Sequence, residues 1–419
     1  MYKKGLFIFR RDLRVEDNSG LIEICNQCET VYCLFILDPN QMDPLKNKFF
    51  SHSAFLFMLE SIKELYYEIP LNICVGEPLD VVKSIVSKNK IDLIMFNEDY
   101  TPYSIKRDLS IASICKTIKA QDVALNAPYT IKPYKVFTPY YRVASVNEVF
   151  KPVKFKKNDK MKLFKDTIPI DLLHVMISMT EKDMTAAGMD LKQIQRGGRV
   201  NGLKCMANFK CNTYKNRDYL MYESSRLSPH LKFGTLSCRE VYYNCTDKTF
   251  RKQLYWRDFY MQVGYHFPHV FGDNFKPSKV KWSNDKRLFK AWCQGRTGFA
   301  IVDACMNQLN TTGYMHNRGR MIVSNFLTKL LGIDWRWGEK YFATKLTDYD
   351  PYNNNGGWQW SAGTGADAQP YYRIFNPELQ QKKFDPDGAY VAKWGVSSKV
   401  KPIIDYENAR HNYLEKISK

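Results

Sequence analysis

The sequence predicts an α/β domain built on a parallel sheet, followed by an all-helical domain. Three observations carry that expectation. Short apolar runs alternate with helical-period stretches over residues 6–126, the chain turns aromatic-rich and helical in period from about residue 189, and 419 residues exceed what one hydrophobic core usually serves.

Taken in order, the apolar runs at residues 6–9, 31–37, 71–75, 91–96 and 123–125 read as strands, separated by the crossovers that a parallel sheet requires. The clearest early helix covers residues 53–67. Phe55, Met58, Leu59, Ile62 and Leu65 recur there at three- and four-residue spacings, with Lys63 and Glu64 between them. The first strand runs into Arg10-Arg11-Asp12-Leu13-Arg14, where ordinary dinucleotide binding would need a glycine-rich phosphate loop, so that mode of binding is excluded at this turn. After Pro128 the pattern breaks through Lys132-Pro133, Thr138-Pro139-Tyr140 and a basic stretch at 151–165, which reads as a linker. The expected organisation is therefore an α/β domain over 1–128, a linker over 129–190 and a helical domain over 191–419. Within the last, residues 250–263 and 319–331 are long enough for buried helices. All eight tryptophans lie from Trp256 onward, so indole chemistry belongs to the helical half.

With 62 Lys plus Arg against 43 Asp plus Glu, the formal charge of +19 suggests a phosphate-bearing partner, solubility alone being the plainer explanation. The eleven cysteines offer one C-x-x-C pair, Cys25 and Cys28, and no second to close a zinc site. Free thiols in a reducing compartment are expected. No stretch approaches about 18 uncharged apolar residues, and the apolar run after Met1 is too short for a secretory signal, so a soluble intracellular protein is expected.

Three segments concentrate chemistry. Ser224-Ser225-Arg226-Leu227-Ser228-Pro229 strings hydroxyls before a helical stretch, a layout that can cap a helix or hold a phosphate at its start. Residues 347–360 gather Asp348, Asp350, three asparagines, Trp358 and Trp360 around Gly356-Gly357, which a merely solvated polar loop would not require. Residues 315–321 place Asn317 and Met321 on one helix face and Arg320 on a neighbouring one, where a buried guanidinium would need a carboxylate.

Phe9-Arg10-Arg11-Asp12-Leu13-Arg14 together with residues 253–260, 313–321 and 354–377 resembles the signature blocks of class I cyclobutane-dimer photolyases, in the photolyase and cryptochrome family. The resemblance spans nearly the whole chain. It implies an N-terminal antenna domain and a helical domain that binds FAD, with light-driven repair of cyclobutane pyrimidine dimers by electron transfer from reduced FAD to a flipped-out dimer. Damaged DNA is the implied partner of a monomeric enzyme. The implied FAD contacts are Tyr214, Ser224, Ser225, Arg226, Leu227 and Ser228 near the phosphates, the Arg320–Asp348 ion pair, Tyr349, Asp350, Gln253, Arg257, and Asn354 facing flavin N5. Phe250 stands where bacterial relatives carry Trp. A second, antenna chromophore, folate or deazaflavin, is left open because Ser104 replaces the Glu of folate-binding relatives.

Trp358, Trp335 and Trp282 match the family's tryptophan triad, which carries electrons to photoexcited flavin. Trp256 and Trp360 match the walls of the dimer pocket; Arg217, Arg257, Arg373 and Gln380 match DNA-contacting positions at its rim. Asn317 and Met321 occupy two positions that are histidines in enzymes for (6-4) photoproducts. Gln253 departs from the dimer-contacting Glu, as in (6-4) enzymes and many cryptochromes, and so keeps a (6-4) photolyase or a blue-light photoreceptor as the alternative. A basic DNA-binding protein with structural FAD is a third class, separated from the first by binding damaged and undamaged DNA alike.

Overall fold

The computed structural model describes residues 1–418 apart from 157–158, 165–166, 279, 371 and 396–399, so part of the basic stretch at 151–165 lies outside the described residues. Five strands form a parallel sheet in the order β3-β2-β1-β4-β5: β1 Tyr2–Phe9, β2 Cys28–Leu37, β3 Leu71–Val75, β4 Leu93–Asn97 and β5 Thr117–Ala120. Both faces are covered, which is why the strand interiors are almost continuously apolar. Strand alternation sorts β1 between the two layers. Phe7 and Phe9 join Leu21, Ile24, Leu59 and Ile62 on one side, while Leu6 and Ile8 join Val82, Ile85 and Ile111 on the other. The predicted helix at 53–67 is observed as His52–Glu68, its first turn capped by Ser51 Oγ, which accepts from the backbone of Ala54.

Residues 123–125 are not the fifth strand. Val123 is buried instead against Met261 and Tyr352 of the helical domain, and its carbonyl accepts Arg257 Nη1, so the apolar run serves the domain interface. The segment 129–190 does more than connect. Helix Phe137–Ala144 lies on helix Lys248–His266, β6 (Met161–Lys162) pairs with β2, and helix Ile170–Ala186 packs along His52–Glu68.

The charged turn after β1 has a visible purpose. Arg14 and Arg239 both bind Asp122 (Nη2–Oδ2 2.7 Å and Nη2–Oδ1 2.8 Å), Arg239 Nε also reaches Asp17 at 2.9 Å, and Arg14 donates to the carbonyl of Gly234. Gly234 itself has φ +66°, and a Cβ there would fall 2.1 Å from the carbonyl oxygen of Arg11. The turn that lacks a phosphate loop thus docks one domain on the other.

The helical domain gathers Trp292, Trp335, Trp358, Leu309, Met315 and Phe326 into one core. The helix expected over 319–331 is α-helical only over Asn317–Asn325 and continues as a π-helical turn, Phe326–Leu330. Cys211 and Cys245 form a disulfide with Cα atoms 5.8 Å apart, which corrects the expectation of free thiols at these two positions. The turn Cys211–Asn216 and the end of helix Cys238–Asn244 are brought together over a cluster containing Phe250 and Leu254. Among the described residues no helix is long and apolar enough to cross a membrane.

Candidate active site

A cavity of about 560 Å³ opens in the helical domain, and four segments distant in sequence build it: 214–232, 250–260, 314–324 and 342–361. Its lining brings together Tyr214, Arg217, Ser224, Ser225, Arg226, Leu227, Ser228, Phe250, Gln253, Trp256, Arg257, Asn317, Arg320, Met321, Asp348, Tyr349, Asp350, Asn354, Trp358 and Trp360, all of them candidates from sequence. Arg373 and Gln380 are not in its wall. Arg373 is exposed, and Gln380 is half-buried with its Oε1 lacking a hydrogen bond.

Helix Pro351–Ala362 supplies one wall. It starts on Asp350, whose Oδ1 accepts from the backbone of Tyr352 and Asn353, with Pro351 in the first turn. The other carboxylate oxygen, Oδ2, receives Arg11 from the α/β domain at 2.5 Å. Burial opposes ionisation of Asp350, but Arg11 and Lys232 outweigh it and hold the carboxyl below its ordinary range. Lys232, half-buried beside Arg11, is pulled down to about 8 by desolvation and by the Arg11 charge.

Two glycines show why this helix has its composition. A Cβ on Gly356 would sit 2.1 Å from the ring of Tyr260, whereas Gly357 lines the cavity with open space beside it. On the facing helix Trp335–Lys345, a Cβ on Gly338 would fall 2.1 Å from Trp358 Cη2. Gly338→Ala should accordingly destabilise the fold by about 1–3 kcal/mol through overpacking, read as a lower midpoint in urea together with a disturbed Trp358. An unchanged midpoint would show that the helices part without cost.

The second wall is helix Asn317–Asn325. Arg320 Nη2 donates to both oxygens of Asp348, at 3.1 and 2.9 Å, and its Nε donates to the carbonyl of Met315. Arg320 is half-buried, and Asp348, itself 6% exposed, is the carboxylate partner expected for it. Asn317 Nδ2 faces Met321 Sδ at 3.8 Å, as their four-residue spacing requires.

The serines do not cap a helix. Helix Ser228–Phe233 spans six residues and has no side-chain cap; Ser228 Oγ donates instead to Asp348 Oδ2 at 2.6 Å, and Ser224 Oγ lies 2.7 Å from Tyr314 Oη. Their hydroxyls answer partners 120 and 90 residues away, so sequence adjacency misled. Arg226 adopts φ +54° and stacks its guanidinium 3.7 Å from the centroid of Tyr314.

Helix Lys248–His266 forms the third side. Trp256 stacks on Phe137 at 3.7 Å, nearly parallel, and Phe250 packs against Phe209 and Tyr214. Gln253 Nε2 donates to the carbonyl of Thr249. Arg257 is not a free hand at the rim: its Nη1 and Nη2 donate to the carbonyls of Val123 and Leu231, tying the wall to the domain junction. Asn354 Nδ2 donates to the carbonyl of Glu339, whose carboxyl burial pushes up to about 7. Trp358 has ring contacts with Phe342 at 4.9 Å and Trp292 at 6.0 Å. Trp335 is fully buried with Nε1–H on Asn274 Oδ1, and Trp282 packs at the edge of the same core.

Lys232, Tyr260, Tyr314 and His316 also line the cavity and were not singled out by sequence. His316 adjoins the Asn317 motif, but nothing in its spacing distinguished it. Burial, with Arg226 adding repulsion, takes its imidazole down to about 4, and its Nδ1 accepts the backbone N–H of Arg318. The ring is therefore neutral near pH 7.

The donor set suits a large dinucleotide carrying an isoalloxazine. Ser224, Ser225 and Arg226 could supply hydroxyls and a cation to phosphates, Asp348, Asp350 and Asn354 could supply polar groups to a ring, and Gly357 leaves open space beside the backbone. The family model described as the FAD binding domain of DNA photolyase matches residues 250–399, and the DNA photolyase model matches residues 6–156.

Among similar proteins, the deoxyribodipyrimidine photo-lyase of Alkalihalophilus pseudofirmus is 34% identical, covering 91% of this chain and 85% of that one. The archaeal photolyase from Sulfolobus tokodaii, solved with two FAD molecules, is 36% identical with a TM-score of 0.90 over 99% of both chains. A class III photolyase from Agrobacterium tumefaciens is 27% identical with a TM-score of 0.89, over 100% of this chain and 98% of that one. The chain belongs to the DNA photolyase family, and its helical half is an FAD-binding domain.

Proposed function

We propose that the protein is a light-driven deoxyribodipyrimidine photo-lyase of the class I type that repairs cyclobutane pyrimidine dimers in DNA. The observation that carries this reading is one cavity lined at once by the Arg320–Asp348 pair, Asn354 and Trp358 and by Trp256, Trp360, Asn317 and Met321, so the residues expected to hold a flavin and the aromatics expected to hold a lesion share a space. Bound FAD, reduced and excited by light, would supply the electron that opens the cyclobutane ring. The chain's own residues do the rest.

Arg320, held by Asp348 and by the Met315 carbonyl, would keep a fixed positive charge beside bound FAD, and Asn354, which donates to the Glu339 carbonyl, would present the rest of its amide there. Trp358 in the cavity wall, with Trp335 and Trp282 in the core behind it, would carry electrons toward FAD when it is bound. A dimer must leave the duplex before it can enter the cavity, at an unpairing cost of a few kcal/mol that is smallest for damaged bases. Trp256, backed by Phe137, and Trp360 would recover part of that cost by stacking, worth about 1–3 kcal/mol per base. Arg217, Arg373 and Gln380 would meet the DNA backbone.

Splitting the cyclobutane ring needs an electron lent and returned and no proton donor. Asn317 and Met321 suffice for that, and the neutral His316, acceptor to Arg318, does not stand in for the two absent histidines. Gln253 can donate to a thymine carbonyl at any pH, whereas a carboxyl donates only when protonated. Gln253→Glu should therefore introduce a pH dependence of repair between about 4 and 7, the range of a carboxyl raised by burial, where the wild type is flat. Identical profiles would remove Gln253 from the lesion contact.

Dark binding to a defined duplex tests the reading. Affinity should fall steeply with salt, as phosphate contacts require, while the preference for a dimer-containing duplex persists. Loss of both together would make this a non-specific DNA-binding flavoprotein.

A further inference from the structure

Lys329 is 1% exposed, inside the π-helical turn Phe326–Leu330 of an apolar core. Burying an ammonium is costly unless it is well bonded, and here carbonyl oxygens receive it: Nζ donates to the carbonyl of Arg373 at 2.8 Å and to that of Pro370 at 3.4 Å. Just before this turn, Asn325, fully buried, donates its Nδ2 to the same Arg373 carbonyl at 3.3 Å and accepts the backbone N–H of Phe375 on Oδ1 at 2.9 Å. The Arg373 N–H closes on the Pro370 carbonyl at 3.0 Å.

Two buried side chains thus hold a single peptide unit, and the residue bearing it is exposed, next to the exposed Tyr372. Desolvation pulls the Lys329 ammonium down to about 7, with repulsion from Arg373 adding to it. The same helix that faces the cavity with Asn317, Arg320, Met321 and Ser324 ends in Asn325, and Ser324 Oγ donates to Ser361 Oγ at 2.6 Å. Cavity wall and anchor are therefore one continuous element, with the π turn aiming its last residues at the loop.

We propose that Lys329 and Asn325 are positioning residues that clamp the Arg373 backbone so that its guanidinium meets a DNA phosphate at a fixed distance from the lesion cavity. The inference rests on the repair function proposed above. Neither residue touches DNA or flavin; they act through Arg373.

A double-mutant cycle on the full chain with bound FAD tests it, using dark binding to a duplex carrying one cyclobutane dimer. Arg373→Ala should weaken binding about fivefold, the scale of one exposed charge contact. Lys329→Met should weaken it similarly, with an unchanged flavin spectrum and unchanged repair per bound complex under light. In the Arg373→Ala background Lys329→Met should add little, because the contact it positions is already gone. Multiplying losses, or wild-type affinity for Lys329→Met, would overturn the clamp while leaving the repair reading intact. Wild-type affinity for Arg373→Ala would remove both the DNA contact and the clamp. Should Lys329→Met fail to fold, Asn325→Ser, which keeps a hydroxyl at the anchor, runs the same cycle.

Discussion

Asp122→Ala should cost about 3–5 kcal/mol of stability, because it leaves the guanidinium groups of Arg14 and Arg239 buried without the carboxylate that both share. Arg14 and Asp122 side chains are each 1% exposed, so water cannot substitute. Urea unfolding of the flavin-loaded protein would measure the loss, and Asp122→Asn, which keeps shape and removes charge, should fall between the two. Wild-type behaviour of Asp122→Ala would mean that the domains dock by apolar contact alone.

The same carboxylate sets a pH dependence. Burial disfavours its ionised form, yet Arg14 and Arg239 hold it down at about 2. With the folded pKa below the unfolded value of about 3.9, its contribution is complete above that value and disappears as pH falls toward 2. Acid unfolding should therefore begin at the domain junction, and Asp122→Asn should lose that part of the acid sensitivity.

Trp358→Phe should have the largest effect on photochemistry. Trp358 is 2% exposed, lines the cavity, and is backed by Phe342 and Trp292. Removing the indole next to the cofactor site should slow light-driven reduction of bound flavin by an order of magnitude or more, equal to about 1.4 kcal/mol or more on the barrier. Repair by chemically reduced protein should survive, since the dimer pocket is walled by Trp256 and Trp360. Unchanged photoreduction would move the electron entry elsewhere. Loss of both activities would assign Trp358 to packing against Gly338 rather than to conduction.

The sheet was legible where strands are buried on both faces, since Leu6 to Phe9 and Leu93 to Phe96 must be apolar on every residue. β5 was not, because Thr117, Lys119 and Ala120 lie at an edge, half-covered or exposed, and carry little apolar signal. Residues 123–125 misled for the converse reason: they are apolar for docking. Within the site, the density of Asp348, Asp350, Asn354 and Trp358 around two glycines was readable, and the close packing of Tyr260 accounts for the first of those glycines, Gly356. Lys232, Tyr260, Tyr314 and His316 reach the cavity only through packing, and the partners of Ser224 and Ser228 lie too far along the chain for local pattern to find. The Cys211–Cys245 pair, 34 residues apart, follows from the meeting of a turn and a helix end and not from spacing.

The most direct measurement illuminates the reduced protein with duplexes carrying either cyclobutane dimers or (6-4) photoproducts and counts the lesions left. The expected result is light-dependent loss of cyclobutane dimers alone, with Gln253 serving in place of a carboxyl. Bound flavin with no repair of either lesion, or repair confined to (6-4) photoproducts, would contradict it and make Gln253 the first residue to revert.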